Sequence, residues 1–257
     1  MFNKLVPLQS QKHVNTKIKN IQGFAFAQDF HLASVMVHEF VRAASLYPIV
    51  FIEDTAQDQF KPIVLLGLEA KQNLFVDAEG KWQASYIPAI IRRYPFALVK
   101  GENQEQLTVC IDEESEIISE DEGVPLFHED GSTTDALENV KRYLSELHQM
   151  EVITTEFCKF MSENNMFAPL NMRVRQSDQV QNIAGCYVIN EERLKNLSDE
   201  RFLELRKKGF LPAVYAHLVS LSQIERLTTL ASGAQSAPSD NALERIAEEA
   251  ETTTVIQ

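Results

Sequence analysis

The chain has 257 residues, with 37 Asp and Glu against 24 Lys and Arg and a formal net charge of −13. Hydrophobic residues make up 44 %, and Gly and Pro number 9 each, which excludes collagen-like, fibrous and wholly disordered chains. The most apolar stretch, 31–52, is interrupted by His38, Glu39, Arg42 and Pro48, far short of the roughly 20 apolar residues a spanning helix needs, and MFNKLVPLQSQKH lacks the apolar run of a secretory signal; a cytoplasmic protein that does not span a membrane is expected.

In chain order, residues 34–47 are predicted as a helix. Ser34 can cap it, and Val37, Phe40, Val41 and Ala44 fall at i, i+3, i+4 and i+7. Pro48 disfavours helical geometry at Tyr47 and ends it. The apolar run 49–52 predicts a strand, and 62–70 and 73–77 predict two more. Asp77-Ala78-Glu79-Gly80 has the chemistry of a tight reversal, with Gly80 free to take positive φ. Residues 86–94 read as a short helix stopped by Pro95, followed by strands at Phe96–Lys100 and 107–111 around a turn at Gly101-Glu102-Asn103. The order helix, Tyr-Pro, strand, loop, strand thus occurs twice. Internal duplication would produce it, but proline stops helices in any sequence and the copies share little else, so the simpler account is preferred.

Residues 134–163 carry the longest periodic pattern. Leu137, Val140, Leu144, Leu147, Met150, Ile153 or Thr154, Phe157 and Phe160 recur every three to four residues, behind Thr133 and Thr134 and ahead of Asn164-Asn165. Residues 170–175 alternate Leu170, Met172 and Val174 with Asn171, Arg173 and Arg175, predicting a half-exposed strand that 180–189 pairs across Ser177-Asp178. Asn190 and Ser198 each precede two acids, as caps of further helices do, and Pro212 opens another after Gly209. From Ser232 onward the composition turns small and polar, predicting a disordered acidic tail over 232–257.

The charge sits in two places. Residues 1–100 carry 11 basic and 8 acidic side chains, and residues 136–231 carry 12 of each. Residues 101–135 carry 12 acidic side chains with no Lys or Arg, and the tail adds 5 acids against Arg245. A nearly neutral body with one acidic segment lacks the basic footprint that nucleic-acid binding requires, so no nucleic-acid partner is expected. Cys110, Cys158 and Cys186 each lie in an apolar context without a CxxC pair, and read as buried thiols of a reducing compartment.

Several segments are long and unusual: the opening KLVPL, then NLFVDAEGKW, YIPAIIRRYPF, SEDEGVPLF and the late GFLPAVYAHLVSL. Together they resemble the SapC family of bacterial proteins, over most of residues 3–230. The family's name comes from an association with surface-layer protein, and the resemblance implies a soluble bacterial protein, often encoded near outer-membrane nutrient receptors and flavin-dependent halogenase-like or cupin-like enzymes. It implies no catalytic residues. The label of peptide-transporter permease, sometimes attached to such proteins, does not suit a chain without a spanning segment.

Three groups of residues are candidates for function. Trp82, Tyr86, Arg92, Arg93 and Tyr94 combine guanidinium groups, which can grip a carboxylate or phosphate, with aromatic walls; the alternative is that one arginine pairs with the acidic segment and the other is solvated. Asp112, Glu113, Glu120, Asp121 and Glu122 form an acidic surface suited to a basic partner, or to Arg92-Arg93 of the same chain; no EF-hand frame is present. His31, His38 and His217 are the weak candidates for a metal, without HExxH or H-x-[DE] spacing. No GxGxxG, Walker A loop or GxSxG elbow occurs, and no cofactor is expected.

The expected architecture is α+β: one domain over 1–231, holding the acidic segment 101–135, with a mainly antiparallel sheet backed by the long helix and the C-terminal helices. The expected function is that of an accessory or binding protein with a protein or peptide partner, serving surface-layer, receptor or peptide-handling systems. The alternative is an enzyme, metal-dependent in one version, that modifies a peptide or small molecule.

Overall fold

The computed structural model describes residues 2–101, 107–176 and 179–233, with backbone placement alone at 172–176 and 179–184. Its strands are β1 (Leu5–Pro7), β2 (Lys17–Ile18), β3 (Leu32–Ser34), β4 (Ile49–Asp54), β5 (Gln59–Leu65), β6 (Phe96–Lys100), β7 (Leu107–Asp112), β8 (Ile118–Ser119), β9 (Val124–Pro125), β10 (Phe167–Gln176) and β11 (Gln179–Ile189). Its helices are α1 (Ser10–His13), α2 (Phe40–Ala43), α3 (Ala89–Arg92), α4 (Asp135–Glu163), α5 (Glu191–Lys195), α6 (Asp199–Lys207), α7 (Leu211–Ser220) and α8 (Gln223–Ala231). Among the described residues all strand pairing is antiparallel, in sheets of order β1-β7-β6, β10-β11-β4-β5-β3 and β8-β2-β9. The expected α+β class is the observed one, and no helix among the described residues is long and apolar enough to cross a membrane.

Helix α4 is the spine. Thr134 holds extended geometry and its Oγ1 accepts from the Leu137 N–H, while Asp135 and Glu138 place negative charge at the positive end of the helix dipole. Its C-terminal half sends Phe157, Phe160 and Met161 into a core shared with the five-stranded sheet, α2, α7 and α8. Its N-terminal half sends Leu137 and Leu144 into a second core beneath the β1-β7-β6 sheet. Met36, Ala89 and Leu147 form a small apolar bridge between them.

Four predicted elements depart from their patterns, the strand expected over 62–70 being β5, which starts earlier and stops at Leu65. The 34–47 helix is reduced to a 3-10 turn at Val37–Glu39 running into α2, because Ser34 pairs with Ile63 in β3 and the Met36 N–H is captured by the Glu39 side chain instead. The 86–94 helix spans Ala89–Arg92 alone, since Pro88 holds extended backbone just before it. Residues 73–77 form a loop with one bridge, Val76 to Trp82; the buried Asn73 amide donates to the Ala27 carbonyl and accepts from the Phe75 N–H, which fixes the loop without a strand partner. The reversal at 77–80 closes as predicted, with the Gly80 N–H donating to the Asp77 carbonyl and φ of 78°. Caps at Asn190 and Ser198 are in place, and Gly209 takes φ of 74°. The turn expected at Gly101-Glu102-Asn103, beyond its first residue, the connection expected at Ser177-Asp178, the side-chain alternation from Met172 onward and the tail beyond Gly233 lie outside the described residues.

The two Tyr-Pro units share more than the order of their elements. β4 and β5 form a hairpin with β3 on the far side of β5, and β6 and β7 form a hairpin with β1 on the far side of β7. The shift that carries Tyr47 onto Tyr94 also carries the Ile49–Val64 pair onto the Phe96–Ile111 pair. The Leu65 N–H donates to the Pro48 carbonyl and the Asp112 N–H to the Pro95 carbonyl, both at 3.0 Å. Ala33 opposes Val64 in the first unit as Val6 opposes Ile111 in the second. The likeness of the two units therefore extends beyond the proline stop to the strand pairing itself, while the first unit packs on the larger core and the second on the smaller one. The Tyr94-Pro95 peptide is cis.

Candidate functional site

The aromatic members of the first candidate group are structural. Trp82, Tyr86 and Tyr94 are each buried. The Trp82 indole N–H donates to the Tyr47 hydroxyl at 2.9 Å, that hydroxyl donates to the Tyr86 carbonyl, and the Tyr86 hydroxyl donates to Glu39. Burial raises the Tyr47 and Tyr86 phenols, so both stay protonated donors. Tyr94 stacks on Phe26, with ring centroids 4.2 Å apart, and on Phe2. The expected aromatic-walled pocket around these residues is thus a filled core.

The two arginines part company. Arg92 is exposed, donates to the Ile87 carbonyl at 3.0 Å and lies over the rings of Tyr86 and Tyr143. Arg93 is half-buried against the Phe2 ring, and its Nε–H is buried without an acceptor in the protein. Burial lowers its pKa, with Glu151 and Tyr143 opposing, and no described carboxylate reaches ion-pair distance.

Among the described residues neither arginine pairs with the acidic segment, which corrects that expectation there. Its cations come from the N-terminal residues, which the chain brings across to β7. Asp112 is fully buried and accepts from the Asn3 and Lys4 N–H groups at 3.0 and 2.8 Å. Glu113 takes Lys4, Lys12 and His13 at once, and the Lys12 and Lys4 hydrogen bonds pull its pKa down to about 2. Glu113 therefore holds these contacts above its ordinary range near 4.5 and releases them as pH falls toward 2. Glu120, Asp121 and Glu122 form an exposed turn tied by the Ser119 hydroxyl, and Lys17 donates to the Asp121 carbonyl. Asp112→Ala should cost about 1.5–3 kcal/mol, since charge-assisted bonds to two amides are lost. Hydrogen exchange should quicken at Asn3 and Lys4 while the α4 core stays protected; unchanged exchange there would show that Asp112 does not anchor the N-terminal strand.

The histidines are scattered in role. His38 is exposed on the 3-10 turn; His31 lends only its carbonyl, to Leu66 and Gly67; His217 is fully buried with both ring nitrogens engaged by backbone. Among the described residues no three His, Cys, Asp or Glu side chains gather as metal ligands do. Cys110, Cys158 and Cys186 are free thiols, and burial pushes Cys158 up to about 12, far from a reactive thiolate.

Where α4 crosses from one core to the other, a cleft of about 310 Å³ opens, at the small end of the range for ligand pockets. Phe60, Lys61 and Pro62 of β5 form one wall, Leu98 of β6 another, and His148, Glu151 and Thr154 of α4 the roof; Arg93 projects into it from the end of α3. Lys61 is paired to Asp54 at 2.6 Å, and His148 lies 3.7 Å from Glu151. The Thr154 hydroxyl is committed to the Met150 carbonyl and the Val37 N–H. Arg93 is therefore the one cation of the lining, among the described residues, with neither a carboxylate partner nor a satisfied buried donor. Of the first candidate group, Arg93 alone lines this cleft. The wall and roof residues give no local signal, because β5, β6 and α4 are brought together only by the two cores; the one trace is the polar row His148, Glu151 and Thr155 running beside the apolar stripe of α4.

A one-domain α+β chain, with a ligand-sized cleft where two hairpin units meet along a shared helix, is the class that this geometry defines. The sequence profile of the SapC family matches residues 8–227, and the chain belongs to that family. No curated protein and no solved structure matches it.

Proposed function

We propose that this SapC-family chain is a binding protein, which uses the cleft under α4 to hold a carboxylate-bearing peptide or small molecule for surface-layer, outer-membrane receptor or peptide-handling machinery. The observation that carries the reading is Arg93. Its Nε–H is buried with no acceptor from the protein, a state that costs about 1–3 kcal/mol and that an incoming anion relieves. A guanidinium presents its donors as a planar fork matched to a carboxylate, and Ile90, Leu98 and Leu147 supply apolar surroundings for the rest of a ligand. No lining hydroxyl is paired with a base, which favours binding over chemistry; the Thr154 hydroxyl is already spent on its own helix.

The test is a titration of the protein with succinate and with N-acetylglutamate, followed through the Arg93 Nε–H resonance. A saturable shift at a Kd of about 1 mM or tighter is expected, equivalent to about −4 kcal/mol. Arg93→Gln should weaken binding at least tenfold with the circular dichroism spectrum unchanged. A non-saturating response, or equal affinity in Arg93→Gln, would remove the cleft as the site.

A further inference from the structure

The repeated units differ in one respect that bears on the cleft. In the first unit the outer side of β4 is occupied: Phe51 pairs with Tyr187 of β11. The shift that carries Tyr47 onto Tyr94 carries Phe51 onto Leu98 of β6. β6 is the outermost strand of its sheet, and among the described residues no strand lies on its outer side. Leu98 lines the cleft.

The ladder fixes which way the backbone groups of Leu98 point. In an antiparallel pair, alternate residues aim both N–H and C=O at the partner. The Asp112 N–H bonds the Pro95 carbonyl, so Pro95, Ala97 and Val99 face β7, and the N–H and C=O of Leu98 face outward. The same reasoning applies across the cleft. The Leu65 N–H bonds the Pro48 carbonyl, so odd-numbered residues of β5 face β4 and even-numbered ones face β3. β3 ends at Ser34, and the last bond on that side runs from the Val35 N–H to the Pro62 carbonyl, which leaves the backbone groups of Phe60 without a strand partner. Phe60 also lines the cleft.

From this we infer that the cleft accepts a segment of extended peptide carrying an acidic side chain, which adds as a strand to β6 at Leu98 and sets its carboxylate on Arg93. The segment takes, in the second unit, the place that β11 takes in the first. Main-chain bonds to the edge supply sequence-tolerant affinity, and Arg93 supplies selectivity for Asp or Glu at one position. A cleft of about 310 Å³ holds the few residues nearest Arg93, with the peptide's ends running out along the edge. The inference rests on the carboxylate-binding reading of Arg93 and names its ligand class.

The experiment uses the full chain and blocked random heptapeptides with Glu, Gln or Lys fixed at the centre. The Glu pool should be retained at least tenfold better than the Gln and Lys pools, and Arg93→Gln should abolish that preference. In the best-retained peptide, N-methylation of individual amides should weaken binding tenfold or more at alternate positions and little between them, and the Leu98 and Phe60 amides should exchange more slowly in the complex. Binding insensitive to N-methylation at all positions, with exchange at Leu98 and Phe60 unchanged, would overturn strand addition while leaving succinate binding at Arg93 intact. Equal retention of the three pools would also overturn it. Failure of succinate and peptides alike to respond to Arg93→Gln would remove both readings.

Discussion

His217→Ala is expected to destabilise the chain by about 3–5 kcal/mol, because the imidazole stands in for a missing rung of the main sheet. β4 and β11 pair at Phe51 and Tyr187, and the next outward-facing residues along that register are Ile49 and Ile189. The ring of His217 lies between them: Nδ1–H donates to the Ile49 carbonyl at 2.9 Å and Nε2 accepts from the Ile189 N–H at 3.0 Å. The Ile49 N–H is taken in turn by the Ser220 hydroxyl, one helical turn along α7. Removing the ring leaves a buried donor and a buried acceptor unpaired and opens a hole beside Phe51, whose ring centroid is 5.0 Å from the imidazole. At about 2–4 °C per kcal/mol for a domain of this size, the melting midpoint should fall by roughly 6–20 °C. A fall of under about 2 °C would show that the two strands close without the histidine.

The same wedge sets a pH dependence. Burial lowers the His217 pKa from 6.5 to about 4, the bond to Ile49 opposing in part. The folded state holds the ring neutral, while the unfolded chain protonates it below about pH 6.5. The unfolded state thus binds more protons between these values, and stability falls with decreasing pH through the window from 6.5 to about 4, at no more than about 1.4 kcal/mol per pH unit. Denaturant unfolding at intervals across that window should show the slope in the native chain and lose it in His217→Gln. Parallel slopes in the two proteins would assign the acid sensitivity to other groups.

What the sequence disclosed follows from the range of the forces involved. α4, its Thr134 cap and the caps at Asn190 and Ser198 were legible because periodicity and capping act within a few residues. The helix over 34–47 was overestimated because its apolar spacing also suits a strand end and a 3-10 turn; pairing of Ser34 with Ile63 decides between them, and that contact is not local. His217 read as a possible ligand because a histidine beside apolar residues looks the same whether its nitrogens meet a metal or two strands. Arg93 was legible as a candidate, but Arg92 was indistinguishable from it until the turn after Pro88 aimed one at Tyr86 and Tyr143 and the other into the cleft. The charge of −13 was legible by segment, yet its partners were not: Lys4, Lys12 and His13 reach Glu113 only because β1 pairs with β7.

Glu39→Ala should cost a further large share of the stability, about 3–5 kcal/mol, through a different mechanism. Glu39 is 5 % exposed, and its carboxylate joins two segments far apart in sequence, its own turn and residues 86–89. One oxygen accepts from the Met36 N–H at 2.9 Å; the other accepts from the Ala89 N–H at 2.8 Å and from the Tyr86 hydroxyl. Arg42 and Arg92 lie over the Tyr86 ring, their guanidinium carbons 4.6 and 5.7 Å from its centroid. Alanine strands all three donors. Glutamine keeps one oxygen, which satisfies the Ala89 N–H and the Tyr86 hydroxyl, but turns its amide N–H₂ against the Met36 N–H, so Glu39→Gln should cost only about 1–3 kcal/mol. Tyr86→Phe removes a single donor and leaves Glu39 bound to Met36 and Ala89, at about 1 kcal/mol. Because the glutamine and phenylalanine changes act on one hydrogen-bonded group, their combined cost in urea unfolding should fall short of additive by about 0.5 kcal/mol or more. Strict additivity, or an alanine cost below about 1 kcal/mol, would mean that solvent or rearranged backbone already serves these donors, and that the junction beneath the cleft is held by apolar packing of Met36, Ala89 and Leu147 alone.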